Sequence, residues 1–147
     1  MSVPVSAILE GKGHEVLTAS AQDRLVDAAR SMADRGVGAL VVVDEHGGVE
    51  GIVSERDVVR RVAADGAEAL EQRIVEVMTR PVTTCSPSTG TTELASTMTE
   101  GRMRHLPVVE EGRLVGIVSI GDVVKSRLDE LATQTESLER YVTGTAY

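Results

Sequence analysis

The segment Gly51-Ile52-Val53-Ser54-Glu55-Arg56-Asp57-Val58-Val59 returns later in the chain as Gly116-Ile117-Val118-Ser119-Ile120-Gly121-Asp122-Val123-Val124. In both copies a β-rich run passes at the serine into a pattern that reads as a helix. The first turn of such a helix has unpaired N–H groups and the positive end of the helix dipole, which together favour an anion such as phosphate. The serine offers a hydroxyl to a phosphate oxygen. The aspartate three residues later accepts two hydrogen bonds from a vicinal diol such as a ribose. The same Ser-x-x-Asp spacing also suits a capping box, worth about 1 kcal/mol to any helix. The doubling and the leading glycine, which lets a ligand approach the backbone, favour the ligand reading. Internal duplication alone would also produce two identical caps. On these residues alone both readings stand.

The elements that position the motif repeat with it. With a one-residue gap at His46, His14–Val62 aligns with Arg80–Arg127, so that Met32 meets Met98 and Leu40-x-Val42-Val43 meets Leu106-x-Val108-Val109. Each repeat has a short extended piece, about 15–18 and 81–85, followed by an amphipathic helix, about 22–35 and 89–101. Two β-rich runs joined at glycine follow, Ala39–Asp44 with Val49–Val53 and Leu106–Glu110 with Leu114–Val118, and read as hairpins. A helix begins after each motif serine. Ile74–Met78 resembles Val5–Leu9, so a lead-in helix is expected before each repeat. One β-α-β-β-α unit exposes too much apolar surface to stand alone. The predicted fold is therefore α+β, two such repeats packed sheet to sheet about a pseudo-twofold axis. The expected divisions are 1–66, 67–128 and a helical tail, 129–147.

Composition narrows the function. The chain has no Trp and no Phe, and its two tyrosines, Tyr141 and Tyr147, lie in the tail. A planar ring bound by the body must lie between aliphatic side chains and backbone. A net charge of −8 argues against nucleic acid. The one cysteine, Cys85, reads as a small core or edge residue and excludes an internal disulfide. No apolar run approaches the roughly 20 residues that span a bilayer. No secretory segment is evident, so no membrane insertion and a cytoplasmic location are expected. The three histidines show no metal spacing with Cys85 or one another, and no catalytic constellation is present, so neither metal nor enzymatic activity is expected. Gly11-Lys12-Gly13 reads as a turn.

With its doubled Gly-hydrophobic-x-Ser-x-x-Asp motif inside a β-α-β-β-α order, the chain resembles a CBS-domain pair, or Bateman module, over about residues 3–128. The resemblance implies a regulatory, non-catalytic module that binds an adenosyl ligand: AMP, ADP, ATP or NAD(H)/NADP(H). It implies that Asp57 and Asp122 hold ribose hydroxyls while Ser54 and Ser119 meet phosphate. It places Thr18, Val37, Ala39 and Val53 around one pocket and Thr84, Met103, His105, Pro107 and Val118 around the other.

The repeats differ where Met103-Arg104-His105 stands against Val37-Gly38-Ala39, and Ile120-Gly121 against Glu55-Arg56. Under the pseudo-twofold, Arg56 and the Arg102, Arg104, His105 cluster converge on phosphates, or else are solvated basic residues on an acidic surface. In the tail, Leu128, Leu131, Thr135, Leu138 and Val142 form a coiled-coil-like stripe, expected to bury itself in a homodimer or fold back on its own sheet. The expected function is an energy- or redox-state sensor acting on a partner protein. The alternative is a ligand-free structural or protein-interaction scaffold.

Overall fold

The computed structural model describes residues 2–143. Its order is α1 (Val5–Lys12), β1 (Thr18–Ala19), α2 (Leu25–Arg35), β2 (Ala39–Val43), β3 (Val49–Ser54) and α3 (Glu55–Asp65), then a 3₁₀ segment at Gly66–Glu71. The second half has α4 (Ile74–Val77), α5 (Thr91–Gly101), β4 (His105–Glu110), β5 (Arg113–Ser119) and α6 (Ile120–Thr143). This is the predicted two-repeat α+β architecture. Tyr147, with the rest of 144–147, lies outside the described residues.

The hairpins superimpose in register as well as in sequence. Leu40 faces Val53 and Val42 faces Gly51; Leu106 faces Val118 and Val108 faces Gly116. Each has its irregularity at the same place, between Val42 and Val43 and between Val108 and Val109. The third strand differs. The Val41 N–H donates to Leu17 O at 3.1 Å, and Thr18–Ala19 pairs in parallel with β2. Pro107 occupies the place of Val41 and has no N–H to donate, so the strand expected at 81–85 reduces to one bridge between Cys85 and Val108.

The lead-in helices exchange partners. Val5 and Leu9 of α1 are buried with Leu94, Met98, Leu106, Val118 and Val123 of the second repeat. Ile74 and Met78 are buried with Leu25, Met32, Leu40 and Val53 of the first. Backbone bonds repeat the exchange: Leu25 N to Gln72 O and Ile74 N to Asp23 O, both 2.8 Å, correspond to Thr91 N to Val3 O and Val5 N to Thr89 O, also both 2.8 Å. Packing thus crosses the divisions drawn along the chain. Each core is aliphatic throughout, as the composition requires.

Two local expectations are corrected. Gly11 and Lys12 are the last turn of α1, not a turn between elements, and Gly13 at φ 100° ends the helix. α2 starts at Leu25, because Ser20–Asp23 forms a turn in which Asp23 Oδ2 accepts the Ser20 N–H at 3.0 Å. The long final helix is as expected. It does not fold back over its sheet: Leu128, Leu131 and Leu138 are all more than half exposed.

Candidate functional site

Both motifs form capping boxes. Ser54 N–H donates to Asp57 Oδ2 at 2.9 Å, and Asp57 N–H to Ser54 Oγ at 3.3 Å. Ser119 N–H donates to Asp122 Oδ2 at 2.9 Å, and Asp122 N–H to Ser119 Oγ at 3.2 Å. The helix N-terminus is fixed further by the strand start of its own repeat, Glu55 N to Gly38 O at 3.0 Å and Ile120 N to Arg104 O at 2.8 Å. Capping is therefore present twice, and the ends of the two strands and helices meet near the pseudo-twofold. Gly38 permits that meeting. A Cβ there would come within 2.9 Å of Glu55 Oε1 and 3.2 Å of the His105 ring.

Beside the first motif lies a cleft of about 550 Å³, a volume within the range of small-ligand sites. It is shared between the repeats. Ser54, Arg56 and Asp57 come from the first, and Met103, Arg104 and His105 from the second. Four arginines, Arg56, Arg60, Arg102 and Arg104, line it together with two acidic residues, Glu55 and Asp57. Among the described residues none of these four guanidiniums makes a hydrogen bond or ion pair. Ile52, Val82 and Met103 supply apolar wall, with the hydroxyls of Thr79 and Thr83 nearby.

Arg102 sits in a backbone conformation that costs energy. It ends α5 at φ 53°, where its counterpart Gly36 ends α2 at φ 64°. An L-residue with a Cβ in this left-handed region costs about 1 kcal/mol, a cost glycine escapes. A strained arginine at the mouth of a basic cleft is the kind of outlier that marks binding sites.

His105 is half-buried between the motifs. Burial, and then the charge of Lys12, lower its pKa from 6.5, only partly opposed by Glu55 and Asp122, with Arg104 lowering it further. The same causes favour the neutral ring over the imidazolium.

The second motif has different company. Lys12 Nζ lies 2.7 Å from Asp122 Oδ2 and 2.9 Å from Ile117 O. Burial tends to raise the pKa of Asp122. The Lys12 hydrogen bond, the Ser119 N–H and the Lys12 charge outweigh it and hold the carboxyl below its ordinary 3.8.

The remaining sequence candidates lie elsewhere. Val53 and Val118 are fully buried because they point into the repeat cores; Ala39 is nearly so, on the face of β2 opposite the core residues Leu40 and Val42. Pro107 is also buried, Val37 packs against the first core, and Thr84 is exposed outside the cleft. Thr18 lines a separate hollow of about 700 Å³ on the far side of β1, ringed by Asp23, Asp44, Glu45 and Glu50. Those carboxylates would repel phosphate, so the smaller basic cleft is the candidate site. Sequence reasoning missed Arg60, one turn beyond Arg56, along with Thr83 and Lys12. The i, i+4 spacing of two arginines was the available signal for Arg60. Lys12 carried no local signal.

Cys85 is half-buried at the strand edge. Burial, aided by the charge of Glu93, pushes its thiol up to about 11. Among the described residues no group of three or more His, Cys, Asp or Glu could hold a metal ion, and no helix is long and apolar enough to cross a membrane.

The CBS domain family model matches residues 12–64 and again 74–129. The mitochondrial CBS domain-containing protein CBSX3 of Arabidopsis thaliana is 32% identical over 151 residues, spanning 97% of this chain and 73% of that protein. The crystal structure of the CBS-domain protein ATU1752 from Agrobacterium tumefaciens is 44% identical, with a TM-score of 0.83 over 86% of this chain and 95% of that one. The CBS domain pair of protein MJ0100, solved with 5′-methylthioadenosine and S-adenosyl-L-methionine, is 27% identical, with a TM-score of 0.79 over 88% of this chain and 99% of that one. CBS domains are in general regulatory rather than catalytic. Two tandem repeats, their doubled motif and a shared cleft thus belong together: this chain is a member of the CBS-domain family and carries a tandem pair.

Proposed function

We propose that the chain is a regulatory module whose ligand is an anionic adenine nucleotide, AMP, ADP, ATP or NAD(H)/NADP(H), bound in the cleft beside Ser54 and Asp57. The observation that carries this reading is the set of four unpaired guanidiniums around one cleft in a chain of net charge −8. Unpaired arginines converging on a cavity suit phosphate oxygens, which accept paired charge-assisted hydrogen bonds. The adenosyl ligands of the MJ0100 pair support the nucleoside half of the reading. In this site Asp57 accepts the ribose hydroxyls and Ser54 meets the first phosphate. Ile52, Val82 and Met103 flank the base without an aromatic residue. Arg56, Arg60, Arg102 and Arg104 hold the phosphates. The sulfonium of S-adenosylmethionine, being cationic, is disfavoured by the same arginines.

Because the cleft takes residues from both repeats, a bound nucleotide ties them together and sets the angle between them. A partner protein reads that angle. A homodimer fits the same reading. Val124, Leu128, Leu131 and Leu138 are each at least half exposed along α6, and burying them against a second copy removes apolar surface from water.

The test is thermal unfolding, followed by circular dichroism, with ATP, AMP, NAD and S-adenosylmethionine in turn. At 100 times its dissociation constant a ligand adds about 2.7 kcal/mol. Stabilisation by a phosphate-bearing ligand, lost in Asp57→Ala, supports the sensor. No stabilisation by any of them, from protein shown to be free of bound nucleotide, leaves the scaffold.

A further inference from the structure

The two motif sites differ through a lysine that enters the second one. Leu9 of α1 and Met78 after α4 are equivalent, each lying under the glycine of the neighbouring strand, Gly116 and Gly51 respectively. Beyond Met78 the chain returns to β3, where the Thr79 N–H donates to Ile52 O at 2.9 Å. Beyond Leu9 the helix instead continues through Glu10, Gly11 and Lys12. The Lys12 ammonium then takes the place of that backbone N–H, donating to Ile117 O at 2.9 Å. It also reaches Asp122 Oδ2 at 2.7 Å, the same oxygen that accepts the Ser119 N–H. Asp57 has no cation partner among the described residues.

We propose that Lys12 is a tethered cation that occupies the sugar position of the second nucleoside site, so that only the site beside Asp57 takes a ligand. The inference rests on the nucleotide reading given above. Each Oδ2 already accepts two hydrogen bonds, that of Asp57 from the Ser54 N–H at 2.9 Å and the Ser54 hydroxyl at 3.1 Å, that of Asp122 from the Ser119 N–H and Lys12. The Ser54 hydroxyl can rotate away to make room for a ribose diol, whereas the Lys12 ammonium is held by its charge and competes for the carboxylate. The closed site would also take a different ligand class. Gly38, Ala39 and Gly121 stand where the open site has Arg104, His105 and Arg56, which leaves Lys125, the counterpart of Arg60, as its remaining cation. A site so poor in phosphate partners suits an uncharged nucleoside.

The experiment counts adenosine bound per chain at saturation by equilibrium dialysis, for the wild-type chain, Lys12→Met and Lys12→Met/Asp122→Ala. Methionine keeps the stem of the lysine and removes its charge. Lys12→Gln is counted in the same way should the methionine variant not fold. The expected result is one more adenosine on the Lys12 variant than on the wild type, lost again in the double variant. An unchanged count on a folded Lys12 variant overturns the proposal, as does loss of a bound adenosine from the wild type on Asp122→Ala alone. The nucleotide reading of the first site is judged separately, by loss of wild-type binding in Asp57→Ala. If the wild type binds no adenosine and the Lys12 variant binds one, the inference about Lys12 stands, and the nucleotide reading is decided by whether ATP, AMP or NAD stabilises the wild type.

Discussion

Ser54–Asp57 and Ser119–Asp122 form the same capping box, with N–H to carboxylate distances of 2.9 Å in both. Around the first, four guanidiniums line an open cleft. Around the second, an ammonium from a different helix holds the aspartate. The shared motif therefore sets where the helix starts, and the residues supplied by other elements set what that start can bind. In a duplicated chain, the differences near the symmetry axis carry the function, and the identities carry the fold.

The comparison is broken most severely through the exchanged helices. Leu9→Ala and Ile74→Ala each remove a fully buried side chain from the opposite repeat, at an expected cost of about 2–5 kcal/mol. Denaturant titration should show both losses within one cooperative transition. Two separate transitions would show that the repeats unfold independently.

Next in size is the loss of a single phosphate partner. Arg104→Ala should weaken ATP binding by roughly tenfold or more, as expected for a charge-assisted hydrogen bond worth about 1.5–3 kcal/mol, with isothermal titration as the readout. Arg113→Ala, at the exposed start of β5, serves as the surface control and should leave binding unchanged.

The caps sharpen the contrast. Ser54→Ala and Ser119→Ala should cost about 1 kcal/mol each in stability. ATP-induced stabilisation should fall only in the first. Arg102→Gly separates fold from function in the opposite sense. Relief of the left-handed strain should stabilise the chain by up to about 1 kcal/mol while ATP affinity falls.

The smallest effect is that of His105. Its folded pKa is lowered, by burial first and then by Lys12, from 6.5. On acidification the unfolded chain takes up this proton before the folded one. The associated stability is thus fully present well above pH 6.5 and declines as pH falls below it. Urea titrations above and below pH 6.5 should show a smaller decline in His105→Gln than in the wild type. Should ATP bind beside the ring, the imidazole pKa seen by NMR should rise.

Most of the fold could be read along the chain because its signals are local. Alternating Val and Leu with a glycine at each turn specify the hairpins, and the spacing of Leu25, Val26, Ala29, Met32 and Ala33 marks a helix, although its buried face runs through Leu25, Ala28 and Met32 and leaves Ala33 exposed. The shortened third strand had its cue in Pro107, which lacks the N–H that Val41 uses. The exchange of lead-in helices had no such cue, since Val5 and Ile74 are equally apolar and either core would accept either one. The cleft was only partly readable for the same reason. Ser54, Asp57, Arg104 and His105 were singled out, but pockets drawn within one repeat also drew in Val53 and Val118. These strand residues alternate inward, so they fill the cores while the cleft forms across the two repeats.

The exchanged straps also have a kinetic consequence. Ser2 and Val3 bond to Thr91 across 88 or more residues, and Lys12 bonds to Asp122 across 110. Closing a loop of that length carries an entropic cost that rises with the logarithm of its length, and contacts so far apart in sequence slow folding. During synthesis α1 is made well before its partners on α5, β5 and α6. The first repeat waits for Ile74, and the second waits with α1 already present for its own final helix. Neither core closes on its own residues alone, so the chain reaches its native state as a clasp whose two ends engage late.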